Sequence, residues 1–132
     1  MTKAELSQLF WLKQEIAVDE RRIRKLRELS EKVSLGNGGG GGNSSFKSSK
    51  IEIYVAEIID LTAIISAKKQ QCIFEQRRLE RYISTIPDSL TRLLFTLRFI
   101  ECLSYPRIAK EVRGVSPDSA RMTIERYIEE HG

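Results

Sequence analysis

Basic side chains recur at short intervals near the end of the chain, and their chemistry suits contact with a partner. The five residues Arg107, Lys110, Arg113, Arg121 and Arg126 fall within residues 107–126. Guanidinium and ammonium groups bind phosphate oxygens, and arginine also pairs with the edge of guanine. These five residues are therefore the candidates for contact with nucleic acid, provided that the elements holding them form a DNA-binding module.

Two short helices joined by a tight turn are predicted to position these side chains. Ser104, followed by Pro106, and Ser116, followed by Pro117, are typical helix starts. Gly114 lies between them, where the end of a helix commonly needs a positive φ. Helices are predicted over 105–112 and 117–130. Their inward-facing residues would be Ile108, Ala109, Val112, Ala120, Ile124, Tyr127 and Ile128, with Val115 filling the turn.

This arrangement is typical of a helix-turn-helix, in which the second helix enters a major groove. The outward residues of that second helix would be Asp118, Ser119, Arg121, Met122 and Glu125. An ordinary helical hairpin that binds no DNA has the same pattern and stays open as the alternative.

The charge balance of this region argues against strong DNA binding by one copy. Residues 87–132 carry seven basic and seven acidic side chains, although the whole chain has a net charge of +4. DNA-binding surfaces are usually basic. The excess positive charge lies elsewhere, mainly in residues 21–27, which could equally be a solvated helix face. A neutral module predicts weak non-specific affinity and favours a dimer or a larger complex.

Residue types that support catalysis or metal binding are sparse. His131 is the only histidine, and the chain has neither an HExxH motif nor a phosphate-binding loop. Cys72 and Cys102 have no CxxC partner and are predicted to be reduced thiols. We expect no enzymatic activity, no metal and no cofactor. The absence of a signal sequence and of a long apolar segment predicts a cytoplasmic protein without a membrane partner.

Heptad spacing dominates the first two thirds of the chain. Residues 1–35 are predicted to form one long helix and residues 51–86 a second one. The first stripe consists of Leu9, Leu12, Ile16, Ile23, Leu26 and Val33, with Asp19 and Ser30 as interruptions. The second consists of Ile51, Tyr54, Ile58, Leu61, Ile65, Cys72, Leu79, Tyr82 and Ile86, interrupted by Lys68 and Glu75. Either an antiparallel hairpin or association between chains would cover both stripes.

Residues 36–50 are predicted to be a flexible linker, because a run of Gly, Asn and Ser cannot bury apolar surface. Pro87 and Asp88 mark a boundary, after which a helix is predicted from about Ser89 to Cys102. Its apolar face would comprise Leu90, Leu93, Leu94, Leu97, Phe99 and Ile100. The expected fold is all-α: a coiled-coil arm over 1–86 that contains the linker, followed by a helix-turn-helix domain over 87–132.

Three motifs stand in order in the last third of the chain: RLLFTLRFI from Arg92, SYPRIA from Ser104 and VSPDSA from Val115. With these motifs the segment 82–130 resembles sigma-70 region 4. It is more closely similar to small phage-encoded regulators of the RinA/ArpU type and to related phage proteins of unknown function. Two departures are Tyr105, where Trp is common, and Arg113-Gly114-Val115, which replaces a more typical Gly-Tyr or Gly-Ile turn. The resemblance covers the arm only by architecture.

The resemblance implies recognition of promoter or operator DNA during phage gene expression, with host RNA polymerase as a further partner. By position in the matching motifs, the residues facing base edges would be Asp118, Ser119, Arg121 and Met122. Arg121 would be the best candidate for a bidentate contact to guanine. The residues near phosphates would be Ser104, Tyr105, Arg107, Lys110 and Arg126.

Two other functions remain open at this stage. A coiled-coil adaptor or inhibitor that binds RNA polymerase or another protein would suit the neutral charge of the module. A small terminase subunit for DNA packaging also combines a helix-turn-helix with a coiled coil, although its DNA-binding module usually comes first. The helical arm is expected to make a homo-oligomer.

Overall fold

The computed structural model describes residues 1–35 and 44–132, and over these residues the protein is all-α, as predicted. The helices are α1 (Lys3–Leu6), α2 (Gln8–Leu35), α3 (Ser44–Ser84), α4 (Ser89–Phe95), α5 (Tyr105–Glu111) and α6 (Pro117–His131). A π-helical turn, Thr96–Ile100, continues α4. In the described part of the chain, no helix is both long enough and apolar enough to cross a bilayer.

The described residues form two compact units. Met1–Lys13 and Gln71–Gly132 make up the helix-turn-helix unit, and Gln14–Gln70 make up the hairpin unit. The predicted division placed everything before residue 87 in the arm. In the structure, both ends of that arm pack with the C-terminal helices, because Leu6, Leu9 and Leu79 are fully buried in their core.

In the hairpin unit, α2 and α3 run antiparallel and bury their heptad stripes against each other. Ile16 and Ile23 of α2 and Leu61 and Ile65 of α3 are all less than 10% exposed. The direction follows from the contacts, since Asp19 meets Lys68 whereas Ile23 lies beside Ile65. The intramolecular hairpin, one of the two arrangements that the sequence left open, therefore covers this seam.

Asp19 and Lys68, two of the three charged residues that interrupt the stripes, pair with each other across this seam. Lys68 Nζ lies 2.6 Å from Oδ2 of the buried Asp19 and 3.6 Å from the Glu15 carboxylate. The hydrogen bond to Asp19 raises the pKa of Lys68 above its ordinary value. The short contact between two buried or partly buried charges favours the helix alignment in which Asp19 and Lys68 face each other.

The helix boundaries differ from the sequence-based expectation at two places. The predicted single helix over 1–35 is interrupted at Ser7, after α1, which is capped by a reciprocal pair of hydrogen bonds between Thr2 and Glu5. The predicted linker over 36–50 overlaps α3, which already begins at Ser44. Neither Gly nor Pro occurs between residues 43 and 86, so nothing prevents the helix from extending toward its N-terminus. Residues 36–43 of that prediction lie outside the described residues.

The helix-turn-helix unit has an aromatic centre that α4 supplies. Phe95 is completely buried, with its ring centroid 5.2 Å from Phe99, 5.4 Å from Tyr127 and 6.5 Å from Tyr82. This one side chain thus joins α3, α4 with its π turn, and α6. Asp88 caps α4 as predicted, because its carboxylate accepts hydrogen bonds from the backbone N–H and the hydroxyl of Thr91.

The predicted apolar face of the third helix is wrong at two positions, since Leu90 and Leu93 are 42% and 45% exposed. The buried side of α4 consists instead of Thr91, Leu94 and Phe95. In a continuous α-helix, Arg98 would lie on that same side, because it follows Phe95 by three residues, Leu94 by four and Thr91 by seven. The wider π turn rotates Arg98 out of the core and lets Leu97 and Phe99 enter it.

Candidate nucleic-acid interface

Each helix of the candidate interface begins at a serine cap and follows an abrupt change of chain direction. The Ser104 hydroxyl accepts a hydrogen bond from the Arg107 N–H, and Pro106 occupies the first turn of α5. α5 ends at Glu111, one residue earlier than predicted. Gly114 then adopts φ +77°, a left-handed conformation that strongly favours glycine. α6 begins at Pro117 and is capped by Ser116, whose hydroxyl accepts a hydrogen bond from the Ser119 N–H at 3.0 Å.

Apolar residues hold α5 and α6 together and leave their outer faces in solvent. Ile108 of α5 and Ala120 and Ile124 of α6 are at most 1% exposed. Tyr127, Ile128, Val112 and Val115 are partly buried against the same core, as the sequence predicted. The inner face of the predicted helix-turn-helix therefore has the expected packing.

The four predicted base-contacting residues, Asp118, Ser119, Arg121 and Met122, are all exposed on α6. The Arg121 guanidinium contacts two acidic side chains of the same helix. Its Nη1 lies 3.1 Å from Glu125 Oε2, and its Nη2 lies 3.9 Å from Asp118 Oδ1. The surface thus offers polar groups of both signs together with the half-exposed thioether side chain of Met122.

The five predicted phosphate-contacting residues differ in how far other groups engage them. Arg107, Lys110 and Arg126 are exposed, and none forms an ion pair within the residues that the structure describes. The hydroxyl of Ser104 is used in capping α5. Tyr105 is half-buried, and the Arg98 guanidinium carbon lies 4.2 Å from its ring centroid.

Three interactions at this surface were absent from the sequence-based expectation. The Ser119 hydroxyl accepts a hydrogen bond from the Ser116 N–H at 2.9 Å, so Ser119 also stabilises the start of α6. Arg98 stacks on Tyr105 because the π turn moves it there. Lys3 of α1 lies 4.0 Å from the Glu125 carboxylate. The Ser-x-x-Ser spacing could have indicated the first, whereas the other two depend on tertiary packing.

The two cysteine thiols are reactive groups that the candidate interface does not include. Burial raises the pKa values of Cys72 and Cys102, which disfavours the nucleophilic thiolate at neutral pH. No cluster of three metal-ligating side chains occurs within residues 1–35 and 44–132.

No protein-family model, curated protein or solved structure matches this chain. Its function has to be inferred from its own residues.

Proposed function

We propose that the protein is a sequence-specific DNA-binding transcriptional regulator that places α6 in the major groove of duplex DNA. The observation that carries this proposal is the outer face of α6, where Asp118, Arg121 and Met122 are exposed at the start of a helix whose opposite face is buried. In helix-turn-helix proteins the corresponding N-terminal part of the second helix contacts base edges.

The ion pairs of Arg121 are compatible with this role, because they are weak enough to exchange for DNA. Both partners of the Arg121–Glu125 pair are exposed, at 44% and 39% of their side-chain area. An exposed pair of this spacing stabilises a helix by about 0.3–0.5 kcal/mol. A bidentate contact between arginine and guanine contributes about 1–3 kcal/mol of discrimination. Replacing the Arg121–Glu125 ion pair by a contact between Arg121 and guanine is therefore favourable. Asp118 can then accept a hydrogen bond from a cytosine amino group.

Phosphate contacts would come from the cations that no acidic side chain neutralises. Arg107 and Lys110 on α5 and Arg126 on α6 are exposed and form no ion pair with any described residue. Such cations position a protein on DNA without reading the sequence. Through the family resemblance, the DNA would be a phage promoter or operator, host RNA polymerase a further partner, and the bacterial cytoplasm the site of action.

An adaptor that binds a protein is the second candidate, and the balanced charge of the module supports it. Residues 87–132 carry seven basic and seven acidic side chains, so long-range attraction to DNA is weak. In that case, α6 would contact a protein through the same mixed polar face.

Titration of labelled duplexes at several salt concentrations separates the two candidates. For wild type, binding should tighten as the salt concentration falls, because bound phosphates release counterions. Lys110→Ala should weaken binding to every duplex alike and reduce the salt slope by about one unit. Arg121→Ala should instead weaken binding to preferred duplexes by about 1–3 kcal/mol and relax the preference at one base pair.

Arg77→Ala provides the matched control, because it removes an exposed arginine of α3 that lies outside the helix-turn-helix. It should leave the affinity and sequence preference unchanged. If wild type binds no duplex at low salt, the DNA-binding proposal is wrong and the adaptor takes its place.

A further inference from the structure

An uncharged strip lies on the solvent side of α3 in the hairpin unit. Val55, Ile59 and Ala63 follow one another at four-residue intervals, so they share one helix face, and Ile59 is 62% exposed. Beside this strip, a groove of about 390 Å³ has Ile23, Thr62 and Ile65 in its lining, with the remaining wall formed by Glu20, Arg24 and Arg27. An apolar strip next to such a groove is suited to packing against another helix.

Two segments of the hairpin unit form bands in which one sign of charge predominates. Residues 21–27 carry five basic and no acidic side chains, and the α3 segment opposite, residues 61–67, carries no charge. Toward the tip of the hairpin, residues 28–35 and 51–60 together carry five acidic side chains and one basic side chain. Of the five basic side chains in the first band, Arg22 makes the only ion pair within the described residues, to Asp19 at 3.7 Å.

The spacing of these bands determines which partner fits. Their centres on α2 are about 10 Å apart at a rise of 1.5 Å per residue, and no ion pair joins the two bands within the described residues of one copy. Two hairpins side by side in the same direction would place like bands together. An antiparallel second copy would instead place the basic band of each hairpin beside the acidic band of the other. On α3, the segment opposite the basic band is centred at residue 64, and the acidic segment is centred at about residue 55. The midpoint between these two centres is at Ile59.

We propose that two copies of the chain associate antiparallel through the strip of Val55, Ile59 and Ala63, with the two-fold axis near Ile59. The second copy covers the apolar strip of the first. The acidic band of each copy then lies beside the basic band of the other and neutralises it. This dimer does not depend on DNA binding. It provides the helix-turn-helix in two copies related by symmetry.

Sedimentation equilibrium of the full-length chain, over a wide concentration range, tests the dimer. Wild type should approach twice the monomer mass of 15.2 kDa, and higher salt should weaken the association because the bands are exposed. Ile59→Asp should raise the dissociation constant at least about tenfold, since it places two like charges near the axis. Circular dichroism should show an unchanged helix content, because Ile59 is not part of the seam.

Ile64→Asp is the matched control: the same substitution on the same helix, at a position 45% exposed and about 140° around the axis from Ile59. It should leave the dimer intact. Oxidising a mixture of Val55→Cys and Ala63→Cys chains should yield a disulfide between residues 55 and 63, identified in a peptide digest. A monomer at all concentrations, equal effects of both aspartates, no salt dependence, or cross-linking of residue 55 only to itself would each overturn the proposal.

Discussion

The two compact units bury their apolar residues to different depths. In the helix-turn-helix unit, Phe95, Leu79 and Ile108 are completely removed from solvent. In the hairpin unit, the most buried side chains, Leu61 and Ile65, keep 5% and 7% of their surface exposed. Several helices surround the first core, whereas two helices can cover only one face of each other.

This difference shows how each unit specifies its structure. A core enclosed on all sides is determined by shape, and each large side chain contacts several elements. A two-helix seam is determined by heptad spacing and by the Asp19–Lys68 pair, which favours the observed alignment. The seam also leaves most of each helix exposed, and the proposed dimer uses part of that exposed surface.

Phe95→Ala should have the largest effect of the substitutions considered, because it removes the side chain that joins three elements of the enclosed core. We expect the free energy of unfolding to fall by about 3–5 kcal/mol. Amide hydrogen exchange should show lost protection in α4 and α6, and chemical denaturation should give the magnitude. Leu90→Ala, on the exposed side of the same helix, should change stability by less than about 0.5 kcal/mol.

Leu61→Ala tests the seam in the same way and should cost less, about 2 kcal/mol, because an open seam relaxes around the missing atoms. Protection should be lost for amides within residues 14–35 and 47–70 and retained in α4 to α6. The exposed Ile64→Ala serves as the control on α3. A loss of protection as large in α6 as in the hairpin would contradict the division into two units.

The seam and the caps were predictable from sequence because each depends on local spacing. The heptad positions of Ile16, Ile23, Leu61 and Ile65 are buried as expected. Asp88, Ser104 and Ser116 cap the expected helices, and Gly114 has the expected positive φ.

The enclosed core was less predictable because its packing depends on a backbone irregularity. The π turn at Thr96–Ile100 lets Leu97 and Phe99 enter the core and moves Arg98 to Tyr105. Helical periodicity assumes 3.6 residues per turn and cannot anticipate that change. The ion pairs of Arg121 were missed for another reason: i,i+3 and i,i+4 acidic neighbours are visible in the sequence, but rotamers decide which of them pair.

Gly114→Ala should have a smaller effect, because the added methyl group has no atom within 4 Å and only the backbone is strained. A left-handed φ of +77° costs a non-glycine residue about 1 kcal/mol. Urea denaturation should show that loss, and Gly114→Asn should recover part of it, because asparagine tolerates this conformation. Equal stability of wild type, Gly114→Ala and Gly114→Asn would contradict a requirement for the left-handed conformation at residue 114.

The pH dependence contributed by Asp88 should be the smallest effect. The hydrogen bonds from the Thr91 hydroxyl and backbone N–H lower the Asp88 pKa below its ordinary value of 3.8. The capping contribution is therefore fully present above pH 3.8 and is lost as the pH falls through the lower pKa of the folded state. Melting temperatures measured from pH 6 downward should fall less steeply for Asp88→Asn, which keeps an uncharged acceptor. Identical slopes would contradict a contribution of the ionised Asp88 carboxylate to stability.

Selection of bound sequences from random duplex DNA, carried out in parallel with wild type and Arg121→Ala, tests the proposed function most directly. Wild type should enrich a defined motif, and Arg121→Ala should lose the preference for guanine at one position while keeping the rest. Under the antiparallel dimer, the motif should occur as two half-sites related by symmetry. Failure of wild type to enrich any motif at low salt, with the folded state confirmed, would contradict sequence-specific DNA binding by α6.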